Sequence, residues 1–105
     1  MLRKGSIFLV TSRPVPVITP KRDAATRVVV TATNFIGSVV TVAPTSSARP
    51  SLTRPEAEID GRNCRILLEQ MLGVDVTKLN NWIGVLDDDE MDELDDALRL
   101  YHGLL

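Results

Sequence analysis

Arg27 stands where a basic, proline-rich segment enters an apolar run, Arg27-Val28-Val29-Val30-Thr31. Its guanidinium is permanently cationic and forked, so it could hold a phosphate through two hydrogen bonds. Thr45-Ser46-Ser47 places three hydroxyls at the end of the next apolar run, where they could donate to the same oxyanion. The same residues admit a structural reading, with Arg27 paired to an acid such as Asp23 and the hydroxyls capping loop backbone. At this point both readings stay open. The other reactive side chains point away from catalysis. His102, the one histidine, falls in a terminal helical pattern far from the basic segments and reads as structural or solvated. Cys64 has no neighbourhood that would activate a thiolate and reads as a small buried apolar residue. Asp87-Asp88-Asp89-Glu90 lacks the turn glycine of a calcium loop, and helix capping accounts for it without a metal. One Cys and one His cannot furnish a four-ligand structural zinc site, so neither metal nor cofactor is expected.

Charge separates the chain into two parts. Residues 1–65 carry ten basic side chains against four acids, net +6; residues 66–105 carry two against ten, net −8. The overall charge is −2. A basic first part suits a polyanion-facing surface. With only four aromatic residues, base stacking on an aromatic platform is not the expected means of recognition. The length of 105 residues fits one domain, 1–105. Apolar residues at 44% are enough for a core. Ile7-Phe8-Leu9-Val10 is too short to span a bilayer, and a lone Cys fits a reducing compartment, so a cytoplasmic protein without membrane contact is expected.

The elements that must carry these residues follow from pattern. Strands are expected over Ile7–Val10, Arg27–Thr33, Val39–Ala43, Glu56–Asp60 (an edge), Cys64–Leu68 and Trp82–Leu86, with Val74 in a continuation after Gly73. Turns are expected over 34–38 and 61–63, and a helical turn over 77–81. Pro44 is expected to end or edge its strand. Pro14, Pro16 and Pro20 make Thr11 to Thr26 a long basic loop holding Arg13, Lys21 and Arg22; Ala48 to Pro55 is a second, holding Arg49 and Arg54. Met91, Leu94, Leu98 and Tyr101 form one helical face, entered through an Asp87/Glu90 capping box. Short strands and one closing helix describe an α+β fold, a small, strongly bent sheet or partial barrel.

Four stretches, in order, resemble the MazF/PemK family of bacterial toxin endoribonucleases. Arg3-Lys4-Gly5-Ser6-Ile7 is similar to the family's basic-Gly-Asp-Ile/Val opening, and Arg27-Val28-Val29-Val30-Thr31 to its Arg-Pro-x-x-Val strand. Val39 to Ser47 is similar to its Val-x-Pro-x-Thr-Ser segment. Ile66-Leu67-Leu68-Glu69-Gln70 to Asp75, then Lys78-Leu79 and Ile83-Gly84-x-Leu86, resembles its tail before an acidic helix. The resemblance implies an SH3-like barrel with a C-terminal helix, built as a homodimer. It implies metal-independent cleavage of single-stranded RNA by 2′-hydroxyl attack, and a cognate, acidic-tailed antitoxin partner. It carries the family's essential Arg onto Arg27 and its essential Thr onto Ser46; a one-residue shift would select Thr45. Val28 stands where the family has Pro. Arg13, Lys21, Arg22, Thr45, Ser47, Arg49 and Gln70 would then contact RNA; Gln70, on a strand, offers two-sided hydrogen bonding to a base edge or a structural bond to loop backbone. The alternative is a non-catalytic binder on the same fold, serving antitoxin sequestration or a gyrase-type target. Gyrase poisons of this fold end in Trp-Gly-Ile, and this chain ends in Tyr101-His102-Gly103-Leu104-Leu105.

Overall fold

The computed structural model describes residues 2–10 and 26–103, with backbone only at 34–36. Among these residues, seven strands, β1 (Ser6–Val10), β2 (Thr26–Ile36), β3 (Val39–Ser46), β4 (Glu56–Ile59), β5 (Arg62–Ile66), β6 (Leu72–Asp75) and β7 (Trp82–Val85), precede one α-helix, α1 (Asp88–Gly103). The sheet order is β4-β5-β3-β2-β1-β7, with β6 also on β3, and every pairing is antiparallel. This is the bent α+β sheet with a closing helix that the sequence pattern implied. No helix among the described residues is long and apolar enough to cross a membrane.

β2 is the pivot. Val28, Val29 and Val30 are each fully buried, although successive strand residues face opposite ways. Val29 joins the core under α1, with Ile7, Ala43, Ile66, Leu94 and Leu98. Val28 and Val30 join a second core on the other face, with Phe8, Val10, Val40, Val42 and Val74. A run of β-branched residues therefore suits this strand, because both faces are covered.

Four expectations shift by a few residues. β2 runs on to Ile36, and the turn contracts to Gly37-Ser38. The turn expected at 61–63 is Asp60-Gly61; both have positive φ (55° and 75°), and Ile59 pairs with Arg62 across it. Asp-Gly at these two positions is the signature of a type I′ hairpin. The expected helical turn near 77 is a short 3-10 turn, Val76–Lys78, and a second, Leu68–Gln70, removes Gln70 from the strand expected there. Pro44 does not end β3. Its carbonyl accepts from Leu67 N (2.9 Å), so its missing N–H would have faced that side too, in the gap where β3 changes neighbour from β6 to β5. The β2 ladder loses nothing there, and Val28 sits in register with Pro44.

The capping box forms as expected: Glu90 N donates to Asp87 Oδ1 (2.8 Å), and Asp87 N donates to Glu90 Oε1 (3.0 Å). Leu94 and Leu98 are buried, with Met91 and Tyr101 packed beside them. Gly5, at φ +89°, lets the first turn lie directly on the helix: a Cβ there would sit 2.3 Å from Met91 Sδ. The acids of α1 also reach the sheet. Glu58 N donates to Glu90 Oε2 (2.7 Å) and Glu56 N to Glu93 Oε2 (2.9 Å), so backbone donors of the edge strand β4 are covered by carboxylates.

Two tests follow. Glu90→Ala removes an acceptor from the helix cap and one from β4 together, and should lower urea-denaturation stability by about 1–2 kcal/mol; Glu90→Gln, with one carbonyl oxygen left, should fall between. Asp75 is the second case. Its carboxylate accepts from Thr77 N (3.0 Å), from Ser38 Oγ (2.9 Å) and from Thr77 Oγ1 (2.9 Å). These bonds, the Thr77 backbone first, hold its pKa below the ordinary Asp value. A lowered pKa gives stability present above the unfolded value and lost as pH falls through the folded one. Carboxyl NMR titration should place Asp75 below a free Asp, and Asp75→Asn should flatten the acid side of the stability profile.

Candidate active site

Arg27 lies near the start of β2, with Thr45 beside it on β3. The Thr45 hydroxyl donates to the Arg27 carbonyl at 2.8 Å. That bond fixes the backbone of Arg27 and leaves the side chain to be placed by something else. It is placed by Asp60, at the β4–β5 turn: Arg27 Nε donates to Asp60 Oδ2 at 2.5 Å. The terminal guanidinium nitrogens make no hydrogen bond to any described residue. Arg27 thus has an acidic partner, as the structural reading allowed. The partner among the described residues is Asp60; Asp23 lies outside them.

Cys64 completes the cluster. It is half-buried, and its thiol donates to the Ala57 carbonyl (3.4 Å). Burial pushes the thiol pKa up, opposed by a hydrogen bond with Thr45 and by the nearby Arg27 charge. A thiol held in its neutral form is a poor nucleophile. Cys64 packs half-buried against the core under α1, less buried than its apolar role predicted.

Thr45 and Ser46 are successive strand residues, so their side chains leave opposite faces of β3. Thr45 is paired with Ile66, which belongs to the core under α1, and it shares that face with Arg27. Ser46 is paired with Arg65. The Arg65 guanidinium donates to the Arg54 carbonyl (3.0 Å), while Arg54 pairs with Glu69 (2.8 Å). Ser47 and Arg49 are exposed after the end of β3. Gln70, in its 3-10 turn, has a buried side-chain oxygen without a hydrogen bond among the described residues. Arg13, Lys21 and Arg22 lie outside the described residues. The fold thus brings Arg27 and Thr45 together with Asp60 and Cys64.

Asp60 is the residue that sequence reasoning missed as a site residue, having assigned it to the end of an edge strand. Its signal was the Asp-Gly pair, which marks a tight turn. His102 is exposed at the end of α1, its ring 5.8 Å from that of Tyr101. It lines a separate cleft of about 880 Å³, with Lys4, Thr31, Thr41, Met71 and Leu98, that contains none of the Arg27 cluster. Among the described residues, no three His, Cys, Asp or Glu side chains are grouped to hold a metal.

The whole chain resembles known proteins in sequence and in fold. A Mycobacterium tuberculosis (strain ATCC 25618 / H37Rv) protein described as a candidate toxin is 39% identical over 69 residues, which is 64% of this chain and 65% of that protein. The match therefore spans just under two thirds of that relative's length. A mycobacterial endoribonuclease solved with its cognate antitoxin superposes over all of this chain and 98% of its own, with a TM-score of 0.74 at 12% identity. The Mycobacterium tuberculosis toxin MazF-mt6 superposes over 89% of this chain and 91% of its own, with a TM-score of 0.65 at 18% identity. At these identities the two structures establish the shared fold. The sequence model of the PemK-like, MazF-like toxins of type II toxin–antitoxin systems matches residues 3–102, and the chain belongs to that family.

Proposed function

We propose that this toxin is a sequence-specific endoribonuclease that cuts single-stranded RNA without a metal ion. The observation that carries the reading is the Arg27 guanidinium, held at Nε by Asp60 with its terminal nitrogens free of described partners, beside the Thr45 hydroxyl. Such a fork can take two oxygens of one phosphate.

In the reaction, the ribose 2′-oxygen attacks the adjacent phosphorus. The P–O2′ bond forms and the P–O5′ bond breaks. The 2′ proton leaves to water and the departing 5′ oxygen takes a proton from water, giving a 2′,3′-cyclic phosphate and a 5′-hydroxyl end. Charge on the phosphate oxygens grows as the pentacovalent species forms, and Arg27 stabilises it there. Arginine does not give up its proton at ordinary pH, so its part is electrostatic rather than that of a base. A hydroxyl donating to a non-bridging oxygen adds to this. The family resemblance assigns that role to Ser46; the geometry favours Thr45, which shares Arg27's face and needs only to turn its proton from the Arg27 carbonyl toward the phosphate.

The basic side chains around the site would follow the RNA backbone. Arg49 is exposed, and by sequence Arg13, Lys21 and Arg22 are the further cations proposed for this contact. A cognate antitoxin with an acidic tail would compete for the same cations. The family resemblance supports a homodimer and a cytoplasmic location for this chemistry.

The test is cleavage of a long, sequence-diverse single-stranded RNA in excess EDTA, with the new ends mapped. Cuts at a short shared sequence, bearing cyclic phosphate and 5′-hydroxyl ends, are expected, and Arg27→Ala should lower the rate about 100-fold or more. Absence of cuts in the unaltered protein, across single-stranded and folded transfer RNA alike, would overturn the reading in favour of a binding-only toxin. Thr45→Val should cost more activity than Ser46→Ala; the reverse order would return the hydroxyl role to Ser46.

A further inference from the structure

We infer that Asp60 is a positioning residue for the proposed cleavage, holding the Arg27 guanidinium by its Nε edge so that its terminal edge meets the phosphate. The inference rests on the proposed function and adds to it a residue 33 positions away in sequence.

Stability alone does not account for this contact. The Arg27 and Asp60 side chains are 40% and 49% exposed, and an ion pair so open to water is worth about 1 kcal/mol or less. The surrounding structure nevertheless goes to some length to make it. Asp60 is the one described non-glycine residue with positive φ, and the tight turn that it forms with Gly61 aims its carboxylate at β2. The β4–β5 hairpin is fixed in turn, because the β4 backbone donates to Glu90 and Glu93 of α1. The backbone of Arg27 is fixed independently by the Thr45 hydroxyl. Both ends of a long, flexible side chain are thereby restrained before any ligand arrives.

Which edge of the fork is used decides the role. A guanidinium can present Nε with one terminal nitrogen, or both terminal nitrogens together. Asp60 contacts Nε, so the edge formed by the two terminal nitrogens remains available for a phosphate. A carboxylate acting as a plug would be expected to take both terminal nitrogens. Restraint of the donor removes the cost of ordering it during the reaction, and a misplacement of about 1 Å can cost about 100-fold in rate. Asp60 also offsets part of the cation's charge, so the unloaded site holds a neutralised pair rather than an isolated cation.

The test is Asp60→Asn, which suits positive φ as well as Asp does and so preserves the turn. Cleavage of an RNA containing the mapped site gives kcat and KM. Binding to the same RNA with a 2′-deoxy sugar at the cut position gives Kd without reaction. In the unaltered protein, the Arg27 Nε–H should give a hydrogen-bonded, slowly exchanging 15N NMR signal. In Asp60→Asn that signal should exchange faster, kcat should fall at least about tenfold, and KM and Kd should change little, with the remaining backbone signals unmoved. An unchanged kcat, a loss confined to KM and Kd, or an unprotected Nε–H in the unaltered protein would overturn the inference. A raised kcat would overturn it in favour of a carboxylate that blocks the site. An unaltered protein that cleaves no RNA would sink the proposed function and this role together, whereas an active protein indifferent to Asp60→Asn would remove this role alone.

Discussion

The burial of β2 on both faces is the constraint on which the rest of the structure depends. Val28, Val29 and Val30 contribute to two cores at once, so β2 cannot slip by one residue without exchanging the occupants of both. That fixed register sets Val28 opposite Pro44 and so puts Arg27 next to Thr45. The hydrogen bond from the Thr45 hydroxyl to the Arg27 carbonyl is a consequence of this register and in turn reinforces it. The site stands at the end of a strand buried on both faces, where an apolar run meets the first polar side chain. A cation at that boundary is anchored by the core behind it and open to solvent in front.

The second line of support comes from the helix. Its acids have the composition of a solvated face, and several are exposed. Glu90, however, uses both oxygens, one on the cap of its own helix and one on β4, while Glu93 holds the next free donor of β4. Edge strands leave such donors open to pairing with other chains, so these carboxylates close an edge while fixing a hairpin. At the far end of that hairpin lies Asp60, in contact with Arg27. A mechanical chain therefore runs from the helix through β4 and the Asp60-Gly61 turn to the guanidinium. The helix packs on the same core that holds Val29 of β2, so both supports of the site rest on one core.

Most of this architecture was legible in the sequence because it is local. Short runs of apolar and β-branched residues marked most of the strands, a 3.6-residue period marked the helix, and Asp87 with Glu90 marked the cap three residues apart. Pro44 was misread because its effect depends on which neighbour its missing donor would have faced, and that is known only once β5, β6 and the Leu67 contact are placed. Gln70 left its expected strand because two short strands, β5 and β6, had to be joined by a turn beside β3. The Arg27 partner was illegible for a stronger reason: no local pattern links positions 27 and 60, and nearby Asp23 was as good a candidate by charge. The choice between Thr45 and Ser46 fails in another way. A one-residue difference is negligible in a sequence comparison, yet in a strand it decides which face a hydroxyl occupies.

The charge asymmetry of the chain takes on a different meaning once the partners are known. Lys4 pairs with Asp95, Arg54 with Glu69 and Arg27 with Asp60, so part of the basic half is already satisfied within the fold. Arg3, Arg49 and Arg62 are exposed and make no ion pair among the described residues. A polyanion approaching the protein meets both kinds of cation. The unpaired ones give long-range attraction that salt screens over about 10 Å. Lys4 and Arg54 must exchange a carboxylate for a phosphate, and in exposed positions that exchange costs about 1 kcal/mol or less. An RNA strand and an acidic peptide face the same exchange, which makes the exposed cations poor discriminators between them. Under the proposed function, discrimination falls to geometry at Arg27, whose terminal nitrogens can donate to a phosphate while Asp60 stays in place. A substrate that presents its phosphate to that edge keeps the internal pair, whereas a ligand that must pull Arg27 away from Asp60 breaks it.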